Sequence, residues 1–198
     1  MKALWSNGLV FRQIENSPEI QEAFAVNSFP LLEFDRRPVD QHPLVGFALT
    51  WNEELTLIQP VEDQQFLLNG YTIFRNADVK RWRPIPKDEF TARAAVLHKL
   101  RPRIPAQVSI ASTREALDSA GKAYPPVTIH AERVKRGVCS IGRVLRTSQR
   151  AVTLLDITPQ AEWDEEESYP LKDITLIDFG GTYERLLARM AKRQVPRS

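Results

Sequence analysis

Apolar positions fall into short runs separated by turn residues along most of the chain. Leu9 to Ile14 predicts one short strand. Ser17-Pro18-Glu19 predicts a helix start, with Ser as N-cap, Pro at the first helical position and Glu in the first turn, and the helix ends near Asn27. Pro30 opens an extended run, Leu31 to Phe34, which Arg36-Arg37-Pro38 breaks. Val45 to Trp51, Leu55 to Ile58, Phe66 to Phe74 (interrupted at Asn69-Gly70) and Asp78 to Trp82 follow. Turn signals about 8–12 residues apart point to a small barrel or sandwich and not to a parallel sheet. From Lys87 the period changes: Phe90, Ala94 and Leu97 recur at helical spacing between Pro86 and Pro102. Residues 101–107, with two prolines and two arginines, read as a linker.

The second half repeats this plan. Ser112 and Glu115 are spaced as a capping box, and Gly121 suits the end of that helix. Pro125-Pro126 opens a run from Val127 to Val134. A strand group spans Val138 to Phe179, Gly180-Gly181 closes it, and Thr182 caps a last helix with Tyr183, Leu186, Leu187 and Met190 along one side. Shifted by about 96 residues, the Ser17 helix start falls on Thr113, Pro30-Leu31 on Pro126-Val127, Arg37 on Arg133 and Val45-Gly46 on Ile141-Gly142. With small length changes, Thr56-Leu57-Ile58 matches Thr153-Leu154-Leu155, Asp78-Val79 matches Asp173-Ile174, and Phe90 matches Tyr183. The expectation is an internal duplication giving two packed modules, 1–100 and 101–198, each a small barrel with a terminal helix. The predicted class is mainly β with flanking helices (α+β).

Gly142-Arg143-Val144, then Val152-Thr153-Leu154-Leu155, Lys172-Asp173-Ile174-Thr175 and the Phe179-Gly180 end resemble the strongly bent barrels of the Sm-like class, in particular uncharacterised bacterial proteins that carry them. The resemblance covers about 40 residues in each half. It implies tandem Sm-like barrels and a role in binding RNA or protein. It implies no site residues, because the Sm RNA-binding loops have no residue-by-residue counterpart here. Independently, apolar positions change phase at Gly142, which marks a bulge or bend.

Composition narrows function more than fold. The 198 residues are 42% hydrophobic and 26% charged, with a net charge of +2, so no global polycation points to nucleic acid. A single cysteine excludes an intrachain disulfide framework and a cysteine-rich zinc site. No apolar run approaches the roughly 18 residues of a membrane span, and the first residues lack the apolar core of a signal peptide, so a cytoplasmic location is expected. His42, His98 and His130 have no metal-ligand spacing. Cys139 sits in an apolar strand and reads as a small hydrophobe. The acids Glu162, Asp164, Glu165, Glu166 and Glu167 read as a solvated loop with no calcium-loop register. No phosphate-cradling glycine motif occurs. The expectation is therefore a binding or adaptor protein, not an enzyme, with no cofactor, most simply a partner for another protein through the groove between the halves or through Trp163.

RNA or single-stranded DNA is the other class of partner. Nine Lys/Arg against three acids lie between Arg75 and Arg103, and six Lys/Arg with no acid lie between Arg133 and Arg150. Trp82 stands between Arg81 and Arg83, and basic residues interleaved with an aromatic suit single strands. Arg81, Trp82, Arg83, Arg133, Lys135, Arg136 and Arg143 are the candidate nucleic-acid contacts, and Trp163 is the candidate protein contact.

Overall fold

Ten strands form one antiparallel sheet in the computed structural model, which describes Pro18, residues 29–62 and residues 64–191. The strand predicted at Leu9–Ile14 and the helix predicted from Ser17 to Asn27 lie outside the described residues, Pro18 apart. The strands are β1 (Leu31–Asp35), β2 (Leu44–Trp51), β3 (Leu55–Pro60), β4 (Tyr71–Arg75), β5 (Arg81–Pro84), β6 (Val127–His130), β7 (Cys139–Thr147), β8 (Ala151–Ile157), β9 (Trp163–Pro170) and β10 (Leu176–Phe179). Three helices accompany them among the described residues: α1 (Phe90–Leu97), α2 (Thr113–Ala123) and α3 (Thr182–Ala191). Within the sheet the order is β5-β1-β2-β3-β4-β10-β6-β7-β8-β9, so both halves run in the same order and β5 and β9 are the outer edges.

The sheet corrects the expectation of tandem Sm-like barrels. No pairing closes β4 onto β5, or β9 onto β10; the open side of β4 pairs with β10 instead. The register sets Phe74 opposite Leu176, Ile73 opposite Ile177, Thr72 opposite Asp178 and Tyr71 opposite Phe179. These are the apolar edges of the two halves, and pairing them leaves Ile73, Phe74, Leu176, Ile177 and Phe179 all buried. Apolar burial contributes about 25 cal/mol per Å², so the two apolar edges cover each other and the sheet stays open.

Local features follow from sequence. β1 alternates in burial, with Leu32 and Phe34 inward and Leu31, Glu33 and Asp35 partly exposed, the period-2 pattern of a half-buried strand. The interior strand β3 is buried on successive positions from Leu55 to Gln59, with the polar Thr56 and Gln59 among them, so its burial does not alternate. Gly46 and Gly142 occupy matching places on β2 and β7. A Cβ on Gly142 would stand 2.6 Å from the Leu155 carbonyl oxygen, and one on Gly46 would stand 2.7 Å from that of Gln59. Each strand shifts register just beyond its glycine, between Ala48 and Thr50 and between Val144 and Arg146. The phase change at Gly142 is thus a close strand crossing followed by a bulge.

Several boundaries differ from the sequence reading. Of the Phe66–Phe74 run only Tyr71 onward is strand; Leu68 makes one isolated bridge to Val61 and Phe66 takes a positive φ of 51°. Asp78 lies in a 3-10 turn, Asn76–Asp78, and the strand begins at Arg81. The Val127 strand ends at His130. The acids 164–167, expected in a loop, form the exposed edge strand β9. α2 runs past Gly121 to Ala123, because Gly121 is buried against Val144 of β7. The Ser112 hydroxyl accepts from the Glu115 N–H at 3.2 Å, and the Glu115 carboxylate accepts from the Ser109 hydroxyl instead of reaching back. On α1 only Ala94 and Ala95 are buried, while Phe90, Val96 and Leu97 face solvent.

The largest core joins both halves: Ala116, Leu117 and Ala120 of α2, with Val127, Ile129, Leu154, Ile177 and Phe179, share one cluster with Leu49, Leu55, Leu57 and Ile73 of β2, β3 and β4. A second core centres on Leu32, Phe34, Ile58 and Phe74, with Trp82 packed against it. Beside the β4–β10 pairing lies a buried ion pair. Arg36 is fully buried and its two terminal nitrogens donate to Glu132 at 2.5 and 3.3 Å. The Thr175 hydroxyl donates to Glu132 Oε2 at 2.7 Å. A charge left unpaired in such a place costs far more than the pair itself contributes. Glu132→Ala is expected to destabilise the protein by about 3–5 kcal/mol in urea unfolding, whereas Arg36→Met combined with Glu132→Leu recovers most of that loss.

A basic cleft between the halves

Three loops meet where the halves join: the β1–β2 turn at Arg37-Pro38-Val39, the segment Ala77–Lys80 between β4 and β5, and the β6–β7 turn at Glu132, Arg133 and Arg136. They enclose a cleft of about 450 Å³ lined by four cations, Arg37, Lys80, Arg133 and Arg136, and two acids, Asp78 and Glu132. The β1–β2 turn holds its place through Asp35. Its carboxylate accepts from the Arg37 N–H at 3.0 Å, from the Arg37 guanidinium at 2.9 and 2.7 Å, and from Arg81 at 3.2 Å. The Arg37–Pro38 peptide is cis.

Both acids of the cleft are already engaged. Glu132 holds Arg36. Arg133 donates to Asp78 Oδ1, whose carboxylate is fully buried, and Asp78 Oδ2 is buried with no hydrogen-bond partner among the described residues. Lys80 and Arg136 form no salt bridge within the described residues, so the cleft retains net positive charge.

The sequence-predicted contacts do not all converge here. Arg133 and Arg136 line the cleft, and Arg81 touches its rim through Asp35. Lys135 is exposed in the same turn but does not line it. Arg83 lies on β5, bridging Glu33 and Glu89 at 2.7 Å each. Its hydrogen bonds to Glu89 and then Glu33 hold its proton more tightly than usual, and the same contact lowers Glu89. Trp82 packs against the core and is half-buried. Arg143 lies elsewhere, with its guanidinium 4.8 Å from the centre of the Trp163 ring. Trp163 itself folds back on Ile157, Ala161, Leu187 and Ala191. Sequence reasoning missed Arg37 and Lys80 as cleft residues, although the offset that matched Arg37 to Arg133 was a signal for the first.

The sheet sets His130 directly opposite Cys139, and His130 Nε2 lies 3.0 Å from Asp178 Oδ2, an order of side chains that thiol nucleophiles use. Cys139 is exposed, contrary to expectation, yet desolvation by its neighbours and then the Asp178 charge hold its thiol above the ordinary value. An activated thiol needs the opposite shift, and Cys139 makes no hydrogen bond to His130. No group of three or more His, Cys, Asp or Glu residues is placed to hold a metal among the described residues. No helix of the described residues is long and apolar enough to cross a membrane. Comparison with known protein families, curated proteins and solved structures returns no match, so the geometry of the chain carries the functional argument.

The Asp35 carboxylate is held well below the usual range, chiefly by the side-chain hydrogen bond from Arg37 and against the opposing effect of burial. A depressed carboxylate adds stability above its unfolded value, ordinarily 3.8, and that contribution is lost as pH falls toward its folded value. Asp35→Asn is expected to cost about 1 kcal/mol or less at neutral pH, since both arginines are half-open to water. Thermal unfolding across pH should show the difference between the two proteins closing below the ordinary carboxylate value.

Proposed function

We propose that this chain is a non-catalytic binding protein of the cytoplasm that holds an acidic segment of a protein partner in the cleft between its halves. The observation that carries this reading is the convergence of Arg37, Lys80, Arg133 and Arg136 from both halves around one concavity, Lys80 and Arg136 forming no salt bridge among the described residues. Carboxylates entering the cleft would meet Lys80 and the Arg136 guanidinium, which suits planar, two-point recognition of an acid, beside Arg37 and Arg133 held in place by Asp35 and Asp78.

Two features favour a protein partner over single-stranded nucleic acid. Nucleic-acid grooves combine a track of free cations with open aromatic faces. Here Trp82 is half-buried against the core, and Arg81 and Arg83 are committed to Asp35, Glu33 and Glu89. In addition, α1 exposes Phe90, Val96 and Leu97, each more than two-thirds accessible, and exposed apolar area of this kind commonly meets other proteins.

The test is a titration of the full chain with an octaglutamate peptide and, in parallel, with a mixed-sequence single-stranded RNA, each at low and at physiological salt. The peptide is expected to bind the wild-type protein at least tenfold more tightly than the variant Lys80→Glu/Arg136→Glu. Tighter binding of the RNA, with a log–log salt slope of about −0.7 per phosphate contacted, would replace the protein-partner reading with the nucleic-acid one. Binding of neither probe at low salt would reject the cleft as an anion site.

A further inference from the structure

The sheet ends on two strands of opposite charge. β5 exposes Arg81 and Arg83, and β9 exposes Asp164, Glu165, Glu166 and Glu167. Neither has a strand on its outer side among the described residues. An unpaired edge is a template for another strand unless something blunts it, and charge and proline are the usual means. Both are present here, but the charges on the two edges differ in sign.

The joint inside the chain supplies the geometry for pairing such edges. There β4, the fourth strand of the first half, pairs antiparallel with β10, the last strand of the second. The ends of the two halves match at a constant offset: Leu171 follows Asn76 by 95 residues, as Leu176 follows Arg81. At that offset Glu166 to Tyr169 of β9 stand where β4 has Tyr71 to Phe74, and Arg81 to Pro84 of β5 stand where β10 has Leu176 to Phe179. Carrying the register of the joint outward sets Arg83 opposite Glu167, where the joint sets Asp178 opposite Thr72. It also sets Trp82 opposite Ser168, Arg81 opposite Tyr169 and Pro84 opposite Glu166, so Arg83 with Glu167 is the one directly opposed charge pair of the ladder.

We propose that this chain associates with copies of itself head to tail, β5 of one copy pairing antiparallel with β9 of the next. The charges select this arrangement over its alternatives. Pairing β5 with β5 opposes arginines, pairing β9 with β9 opposes carboxylates, and like charges directly opposite destabilise a ladder. Only the heterologous pairing matches cation to anion. Such a contact closes into a ring or continues as a filament, according to the rotation between copies. Arg83 bridges Glu33 and Glu89 with its guanidinium still about half exposed, so it can take Glu167 as a further acceptor. Pro84 weakens the contact by one ladder bond. Ile85 donates its N–H inward to the Leu31 carbonyl at 3.0 Å, so the nitrogen of Pro84, which carries no hydrogen, faces outward. The association is therefore concentration-dependent and not permanent.

Sedimentation of the full chain over a wide concentration range, at low salt and in 1 M salt where the Debye length is about 3 Å, tests the proposal. The mass is expected to rise with concentration at low salt and to remain that of one chain in 1 M salt over the same range. Arg81→Glu/Arg83→Glu and Glu166→Lys/Glu167→Lys should each move the midpoint at least tenfold to higher concentration, because each sets like charges opposite one another where Arg83 meets Glu167. The variant carrying all four substitutions should associate again. Circular dichroism and Tm establish that each variant is folded. Where a swap unfolds the chain, Ser168→Pro takes its place. Leu171 donates inward to the Arg150 carbonyl at 2.8 Å, so by alternation the Ser168 N–H faces the open side, and its loss should abolish association. A wild-type chain of single-chain mass throughout the range would overturn the proposal. So would folded swap variants that associate as the wild type does, or a fourfold variant that does not recover.

Discussion

The pairing of β4 with β10 is the constraint on which the rest of the molecule depends. It joins two five-strand halves into one sheet and buries Ile73, Phe74, Leu176 and Ile177. It also brings the Arg36 and Glu132 turns together. Those two residues are 96 apart, and the strand registers set Glu132 at the place of Arg37, one residue beyond Arg36. Two copies of one charge there would repel each other in a buried setting; one of each sign makes a pair. Buried pairs add little net stability over apolar replacements, and their best-attested contribution is fixing one register over others. At this joint a slip by one residue would reverse the facing of every side chain on β10 and would also separate the pair.

The cleft is a consequence of that pairing. Arg133 and Arg136 follow Glu132 in the same turn, and Arg37 follows Arg36, so fixing one ion pair positions three of the four lining cations. Asp78 reaches the site from the 3-10 turn that ends β4 and holds Arg133 from the other side. These contacts exist before any ligand arrives. A site already ordered loses less freedom on binding, which strengthens a given set of contacts.

The sequence carried the strands well and their assembly poorly, for identifiable reasons. Period-2 alternation in Leu31–Phe34, and turn residues such as Asn52-Glu53-Glu54, are local signals, and the strands at those places were legible. Whether β4 closes on β5 or reaches β10 is a choice between two long-range partners, and no local pattern records it. That is why the resemblance to a closed barrel failed although its strands were found. β9 was misread because an edge strand open to water on both faces has no apolar alternation, and Asp-Glu-Glu-Glu then looks like a loop. α1 was misread in the other direction: Phe90, Ala94 and Leu97 have helical spacing, but the helix docks through Ala94 and Ala95 and leaves the large side chains outside. In the cleft, Arg133 and Arg136 were named from charge clustering, while Lys80 could be placed only once the β4–β5 segment was seen to fold toward the second half.

Burial explains why matching positions in the two halves carry such different residues. Tyr71, Thr72, Ile73 and Phe74 of β4 stand at the places of Glu166, Glu167, Ser168 and Tyr169 of β9, and Leu176 and Ile177 of β10 at those of Arg81 and Trp82 of β5. At the joint each strand has a neighbour on both sides, so apolar side chains remove the most surface from water. At the outer edges the same places face solvent, and a second apolar joint there would polymerise the chain without control. Charged edges confine any further pairing to a weak contact that salt can dissolve. Tyr169 illustrates the compromise. Its hydroxyl donates to Asp156 and lies 3.0 Å from the Glu167 carboxylate, and burial together with those carboxylates holds its proton far above the usual range. The ring thus covers the end of β8 while its polar tip anchors two acids at the rim. An apolar residue there would cover the strand equally well but would leave the Asp156 carboxylate, half-buried and already raised by desolvation, without its donor.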